Sequence, residues 1–301
     1  MHLPVVSDAT LGAASALGTA LVWSIATLLF KKSGERLGAV ALNYFKNGVG
    51  LLLLAATLVA TGASLPAETP AADVLILLAS GVVGIAIADS LFFSSLNVLG
   101  AGRSAIIDCL YAPFVVGFST VWLNESLSWR SGLGGALVIA AVAMTSTRVA
   151  SLDVPRRHLW LGVFYGALAM ALTAAAIVGA KPVLERYPVL WSTSVRLLGG
   201  FVALTLYALL HPPTRRVAFA AFVPQPAWRY ALPGAVAGAY LAIVLWVAGF
   251  KYTSATTAAM LNQTSTVLVV VLAAVFLHER LTPMHAGAAV LAFVGSALIL
   301  G

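Results

Sequence analysis

The chain is 301 residues long, 61% apolar and only 9% charged, where soluble domains run near half apolar and about a quarter charged, so a soluble enzyme or nucleic-acid-binding domain is excluded. The net charge of +7 would suit a polyanion, but the basic residues sit in short connections between apolar runs, where anionic lipid headgroups are the simpler partner than nucleic acid. The single cysteine, Cys109, lies inside an apolar run, so neither a disulfide framework nor a metal site can be built from it, and no cofactor is called for.

A membrane-crossing helix needs about 20 mostly apolar residues. Taken in chain order, apolar runs and their breakers predict ten spans, at 10–30, 39–61, 73–97, 101–123, 131–147, 159–180, 189–210, 230–250, 255–277 and 284–301. The first follows a short polar start without a small-residue cleavage pattern and reads as a retained span, not a signal peptide. Arg148 to His158 is the polar, Pro-containing linker between two halves, 1–150 and 151–301. The longest loop, His211 to Arg229, reads as a Pro-rich, basic segment at the membrane surface.

Those halves are copies. Gly100 to Leu127 aligns without a gap on Ser254 to Leu281 at an offset of 154, matching Ala101, Ala105, Val115, Val121, Leu123, Glu125 and Leu127 to their counterparts. Gly84 and Leu91 match Gly238 and Leu245 at the same offset. Five spans per copy is odd, so the second copy enters the bilayer inverted, the architecture of many secondary transporters with a site near the midplane. The loops joining spans 1–2, 3–4, 5–6, 7–8 and 9–10 carry eleven basic residues against four on the other side. By the positive-inside tendency both termini then lie outside the cytoplasm.

Charge inside hydrocarbon costs about 2.5–3.5 kcal/mol per residue on insertion scales, so each case demands a partner or a wet cavity. Four stand out: Lys46, Asp89, Asp108 and Arg196. The first three lie some seven or eight residues from one membrane face, a layer about 10 Å deep at 1.5 Å per residue. Arg196, Asn262 and Gln263 lie at similar depth from the other face. Asn43, Lys46, Asn47 and Gly50 share one helix face, as do Ser104, Asp108, Tyr111 and Val115. Thr193, Arg196 and Gly200 match Asn43, Lys46 and Gly50 at an offset of 150. Two readings stand side by side: Lys46 simply neutralises Asp89 or Asp108 and locks helices together, or these groups line a substrate cavity. Two carboxylates against one lysine leave an excess acid, so Asp89 and Asp108 are the candidates for proton coupling.

Trp23, Tyr111, Trp191, Tyr240 and Trp246 are candidate cavity walls, with packing as the bland alternative. Gly162-x-x-x-Gly166 and Gly234-x-x-x-Gly238 fit close helix packing. Pro113 should kink span 4 and free a carbonyl. Glu125 and Glu279 read as interfacial anchors.

Two copies, each with a small-residue-rich span, Glu-x-Leu and a final span (LNESL and HERL), preceded by LFFSSLNVLGA and LWVAGFKYTSA, resemble the EamA family of the drug/metabolite transporter superfamily. The resemblance covers residues 10 to 301. It implies an all-α membrane protein of ten helices, two inverted five-helix repeats around a central cavity, working by alternating access in a bacterial inner membrane, often as an exporter of amino acids or other small metabolites. It also implies cytoplasmic termini, opposite to the charge count. The glutamate that small multidrug relatives carry in their first span is absent here.

The leading expectation is a transporter, not an enzyme, that exports an amino acid, with proton coupling through Asp89 or Asp108 as the accompanying hypothesis. Its substrate groups would be drawn from Asn43, Lys46, Asn47, Asp89, Asp108, Tyr111, Arg196, Trp246, Asn262 and Gln263, with no metal. The alternatives are a flippase for lipid-linked headgroups and an intramembrane hydrolase. The Gly-x-Gly-Asp motif of aspartyl types is missing, and His278-Glu279 lacks the second histidine of a zinc peptidase.

Overall fold

The computed structural model describes residues 7–62, 66, 68–123, 129–147, 156–278 and 283–300. All regular structure among them is helical. Repeat 1 comprises α1 (Asp8–Leu37), α2 (Ala39–Thr61), α3 (Ala71–Leu99), α4 (Ala101–Trp122) and α5 (Trp129–Thr147). Repeat 2 comprises α6 (Arg156–Arg186), α7 (Val189–Leu210), the short α8 (Pro212–Ala220), α9 (Trp228–Tyr252), α10 (Ala255–Phe276) and α11 (Pro283–Leu300).

Eight of these helices, α1 to α4, α6, α7, α9 and α10, are long and apolar enough to cross a membrane. The fifth and tenth expected spans are the helices α5 and α11, whose apolar stretches are shorter, Gly132–Ala141 and Ala286–Gly295. The loop expected at 211–229 is partly helical, forming α8 against α2 and α7, where Phe219 and Phe222 pack edge-on against Tyr44. Glu125, Glu279 and the boundary near residue 150 lie outside the described residues.

Local chemistry sets the helix ends. In repeat 1 the α1–α2 and α3–α4 turns pass through Gly38 (φ 71°) and Gly100 (φ 84°), a backbone region that residues with a Cβ rarely enter. Repeat 2 makes the corresponding turns with Pro188, which starts α7 without needing an N–H, and with Ser254, whose hydroxyl accepts the Thr257 N–H. In α4 the expected break is present: the Cys109 and Leu110 N–H groups bond three residues back, to Ile106 and Ile107, and Pro113 has no N–H to offer the Cys109 carbonyl four residues before it.

The repeats interleave. α1 packs on α9 and α10 of the other copy, α6 on α3 and α4, and α5 pairs with α11. Gly162 and Gly166 let α6 approach Leu99, Ser95 and Ile107, and Gly234 and Gly238 let α9 approach Leu29 and Phe30 of α1, so both small-residue motifs join one repeat to the other. The start of α1 meets the end of α9, where Gly12 lies against Tyr252 and Thr253. The end of α6 meets that same α9 terminus through Lys181. Thus α1 begins at the face where its counterpart α6 ends: equivalent helices run in opposite directions. Large apolar side chains such as Leu52, Val59, Val121, Leu210 and Phe276 point outward, as lipid contact requires.

Each repeat carries one π-helical turn inside its third membrane-length helix, Val82–Ala88 in α3 and Val236–Ala242 in α9, at the same 154-residue offset. Such turns widen the helix and loosen its hydrogen-bond ladder, and they recur at functional sites. In repeat 1 the Asn43 amide of α2 donates to Ile85 O (2.8 Å), Ala86 O (3.2 Å) and Ser90 Oγ (2.9 Å), satisfying acceptors of the widened turn. Just before it, a methyl at Gly81 would run into the Arg196 carbonyl, so this glycine sets how closely α3 and α7 cross.

Candidate functional site

Between the repeats lies a cavity of about 140 Å³, roughly ten times the 10–15 Å³ that one water needs on the same measure. Eight helices line it, four from each repeat: α1 to α4, α6, α7, α9 and α10. Its wall follows the internal duplication. At the 150 offset it contains Ala20 with Met170, Trp23 with Thr173, and Lys46 with Arg196. At the 154 offset it contains Gly84 with Gly238, Asp89 with Ile243, Phe92 with Trp246, Asp108 with Asn262, and Tyr111 with Ser265. Only Thr19, Ile85, Ala242 and Gln263 line it without their mates.

The shape is therefore pseudo-symmetric and the charge is not. Repeat 1 supplies Lys46, Asp89 and Asp108; repeat 2 answers with Arg196, Ile243 and Asn262. Lys46, 2% exposed, closes on Asp89 at 2.8 Å and also donates to Asn47 Oδ1 at 3.1 Å. Asn47 in turn donates to Asn43 Oδ1 at 2.8 Å. The neutralising role expected for Lys46 is thus present, toward Asp89. Asn43 and Asn47 stand behind the lysine and do not line the cavity; they hold it.

Arg196 is 1% exposed, yet Nε, Nη1 and Nη2 have no hydrogen-bond partner among the described residues. Its guanidinium lies 5.3 Å from the Trp246 ring centroid, and Trp246 packs edge-on against Phe250. Cation–π contact is worth about 2 kcal/mol when desolvated, less than several unmet charged donors cost. Asn262 is in the same position: neither amide atom has a partner among the described residues. Asp108 forms no ion pair among them; Gln263 reaches only its main-chain carbonyl, at 3.4 Å. The site thus presents unmet donors on Arg196 and Asn262, a carboxylate on Asp108, and a largely apolar wall from Trp23, Ile85, Phe92, Met170, Ile243 and Trp246.

Eight of the ten residues singled out in the sequence line this cavity: Lys46, Asp89, Asp108, Tyr111, Arg196, Trp246, Asn262 and Gln263. Of the candidate aromatic walls, Trp191 packs on Tyr187 and Tyr240 hydrogen-bonds Thr57 (2.6 Å), both away from it. Trp23, a candidate wall from the sequence, lines the cavity from α1, but Thr19, Ala20, Met170 and Thr173 of α1 and α6 were not singled out, because they are ordinary residues for an apolar span. The signal that finds them is the internal offset, which pairs Trp23 with Thr173 once the helices are superposed.

Interleaved repeats of apolar helices around a cavity that holds a few charged groups in a largely apolar wall are the architecture of a duplicated membrane transporter. The model of the EamA-like transporter family matches residues 10–147 and again 160–301, and the chain belongs to that family. A solved crystal structure of a protein 18% identical in sequence aligns over 95% of both chains with a TM-score of 0.69, a likeness of fold alone. No curated protein matches the sequence.

Proposed function

We propose that the protein is a secondary transporter that moves a zwitterionic amino acid by alternating access, exporting it in exchange for protons. The observation that carries this reading is the buried Arg196 guanidinium with all three nitrogens unpartnered at a cavity wall. A planar donor fork of this kind suits a carboxylate held by two parallel hydrogen bonds. Because Lys46 and Asp89 neutralise one another, Asp108 is the remaining group for an ammonium. A carboxylate that must be neutralised by either an ammonium or a proton gives exchange of one for the other. The apolar wall would take the amino-acid side chain.

Asp89 is spent on Lys46, which speaks against the two-carboxylate chemistry of a hydrolase, as does membership of a transporter family. The experiment is counterflow into proteoliposomes with a labelled panel of amino acids, amines and monocarboxylates. Saturable exchange of amino acids above the other two classes supports the reading; exchange of none of the amino acids by folded protein defeats it.

A further inference from the structure

The ends of α1 and α6 carry the same motif at the 150 offset, Lys31, Glu35 and Arg36 in one repeat and Lys181, Glu185 and Arg186 in the other. The two copies are used differently. Lys181, 7% exposed, donates to Glu185 (2.6 Å), Phe250 O (2.8 Å) and Thr253 O (3.1 Å), capping the end of α9. Lys251 of α9 reciprocates, donating to Leu184 O, Glu185 O and Tyr187 O (2.6 Å) at the end of α6. Arg186 reaches across to repeat 1 and meets Asp73 at the start of α3 (2.8 Å), and the Tyr187 hydroxyl donates to the second oxygen of that carboxylate (2.8 Å).

At the opposite face, Lys31 makes a single 3.2 Å bond to Asn97 O, and Glu35 and Arg36 are exposed and form no ion pair among the described residues. The mate of Tyr187 is Leu37 and the mate of Asp73 is Ala227. No Asp or Glu occurs anywhere between Glu185 and Glu279, so the start of α9 has no acid to offer Arg36.

We propose that Asp73, Arg186 and Tyr187 form a one-sided latch between the repeats, closing the cavity at the face where α6 and α9 end and biasing the resting protein toward that closed state. Asp73 is buried and held on both oxygens by groups of the other repeat, whereas at the opposite face Lys31 bonds only Asn97 of its own repeat among the described residues. The latch rests on the alternating-access reading, and its measurement needs no substrate.

The test places spin labels at Ala72→Cys and Pro182→Cys, both exposed, in a Cys109→Ala background of the full chain in nanodiscs. Pulsed dipolar spectroscopy should give one short distance for the parent and a longer one in Asp73→Asn and Arg186→Ala, with the open population raised roughly fivefold or more, as a change of one or two kcal/mol gives. Exchanging the charges, Asp73→Arg with Arg186→Asp, should restore the short distance. Unchanged distances in both single variants would overturn the latch. Arg186 is half exposed, so Arg186→Ala carries the test should Asp73→Asn misfold. An open population in these variants without amino-acid exchange by the parent would leave the latch standing and the substrate reading lost.

Discussion

Asp108 and Asn262 occupy one position of the duplicated unit, 154 residues apart, and both line the cavity between the repeats, one as a carboxylate and the other as its amide isostere. With Lys46 and Asp89 closed on each other, this pair and Arg196 fix the direction in which the cavity is polar. Asp108→Asn makes the two halves alike. It should abolish proton-driven accumulation and weaken amino-acid binding by about 10- to 100-fold, the loss expected for a hydrogen bond to a charged group. Proteoliposome uptake with and without a pH gradient measures both.

Arg196 separates function from stability. A buried guanidinium without hydrogen bonds is a net cost to the fold, so Arg196→Met should leave thermal stability unchanged or higher while counterflow falls at least about tenfold. Arg196→Lys keeps the charge but not the fork and should recover only part of the activity. A fall in melting temperature in Arg196→Met equal to that of a broken ion pair would return this residue to a structural role.

Lys46 should behave in the opposite way. Lys46→Ala strands Asp89 and should destabilise by about 3–5 kcal/mol, whereas Lys46→Met combined with Asp89→Leu removes both charges and should be near neutral. Thermal denaturation in detergent distinguishes them. Asn47→Leu, which removes the acceptor behind the lysine, should lie between the two.

The latch has a pH dependence of definite sign. The Asp73 carboxylate accepting from Tyr187 holds that phenol above its ordinary value of 10, while Arg186 and Thr69 act in the other direction. A raised value means that the contribution is present below the ordinary value and is lost as pH rises through the raised one. The label distance should therefore be constant from about pH 6 to about 9 and lengthen only above about 10. Tyr187→Phe should remove the alkaline step.

Much of this was legible in the sequence because charge is rare in it. Four intramembrane ionisable residues in a 9% charged chain point to a cavity by elimination, and the 154 offset across span 4 and span 9 places Asp108 opposite Asn262. Asn43 and Asn47 share the lysine's helix face, which periodicity detects, yet they serve its orientation; spacing alone does not separate the cavity wall from the residues behind it. The π-helical turns were hidden because a widened turn has no composition of its own. Only the match of Gly84 with Gly238 marked the place. The latch was hidden for another reason: Arg36 and Arg186 belong to the same motif, and only the folded arrangement shows that Arg186 meets Asp73 while Arg36 forms no ion pair among the described residues.

The most direct measurement is binding of three ligands that differ by one charged group each, an amino acid, its decarboxylated amine and its deaminated acid, to the parent, Arg196→Ala and Asp108→Asn. Two poles on Arg196 and Asp108 predict that removing the ligand carboxylate costs the parent at least about tenfold but costs Arg196→Ala almost nothing, and that removing the ammonium does the same with Asp108→Asn. Equal losses in the parent and both variants would contradict the assignment of those poles.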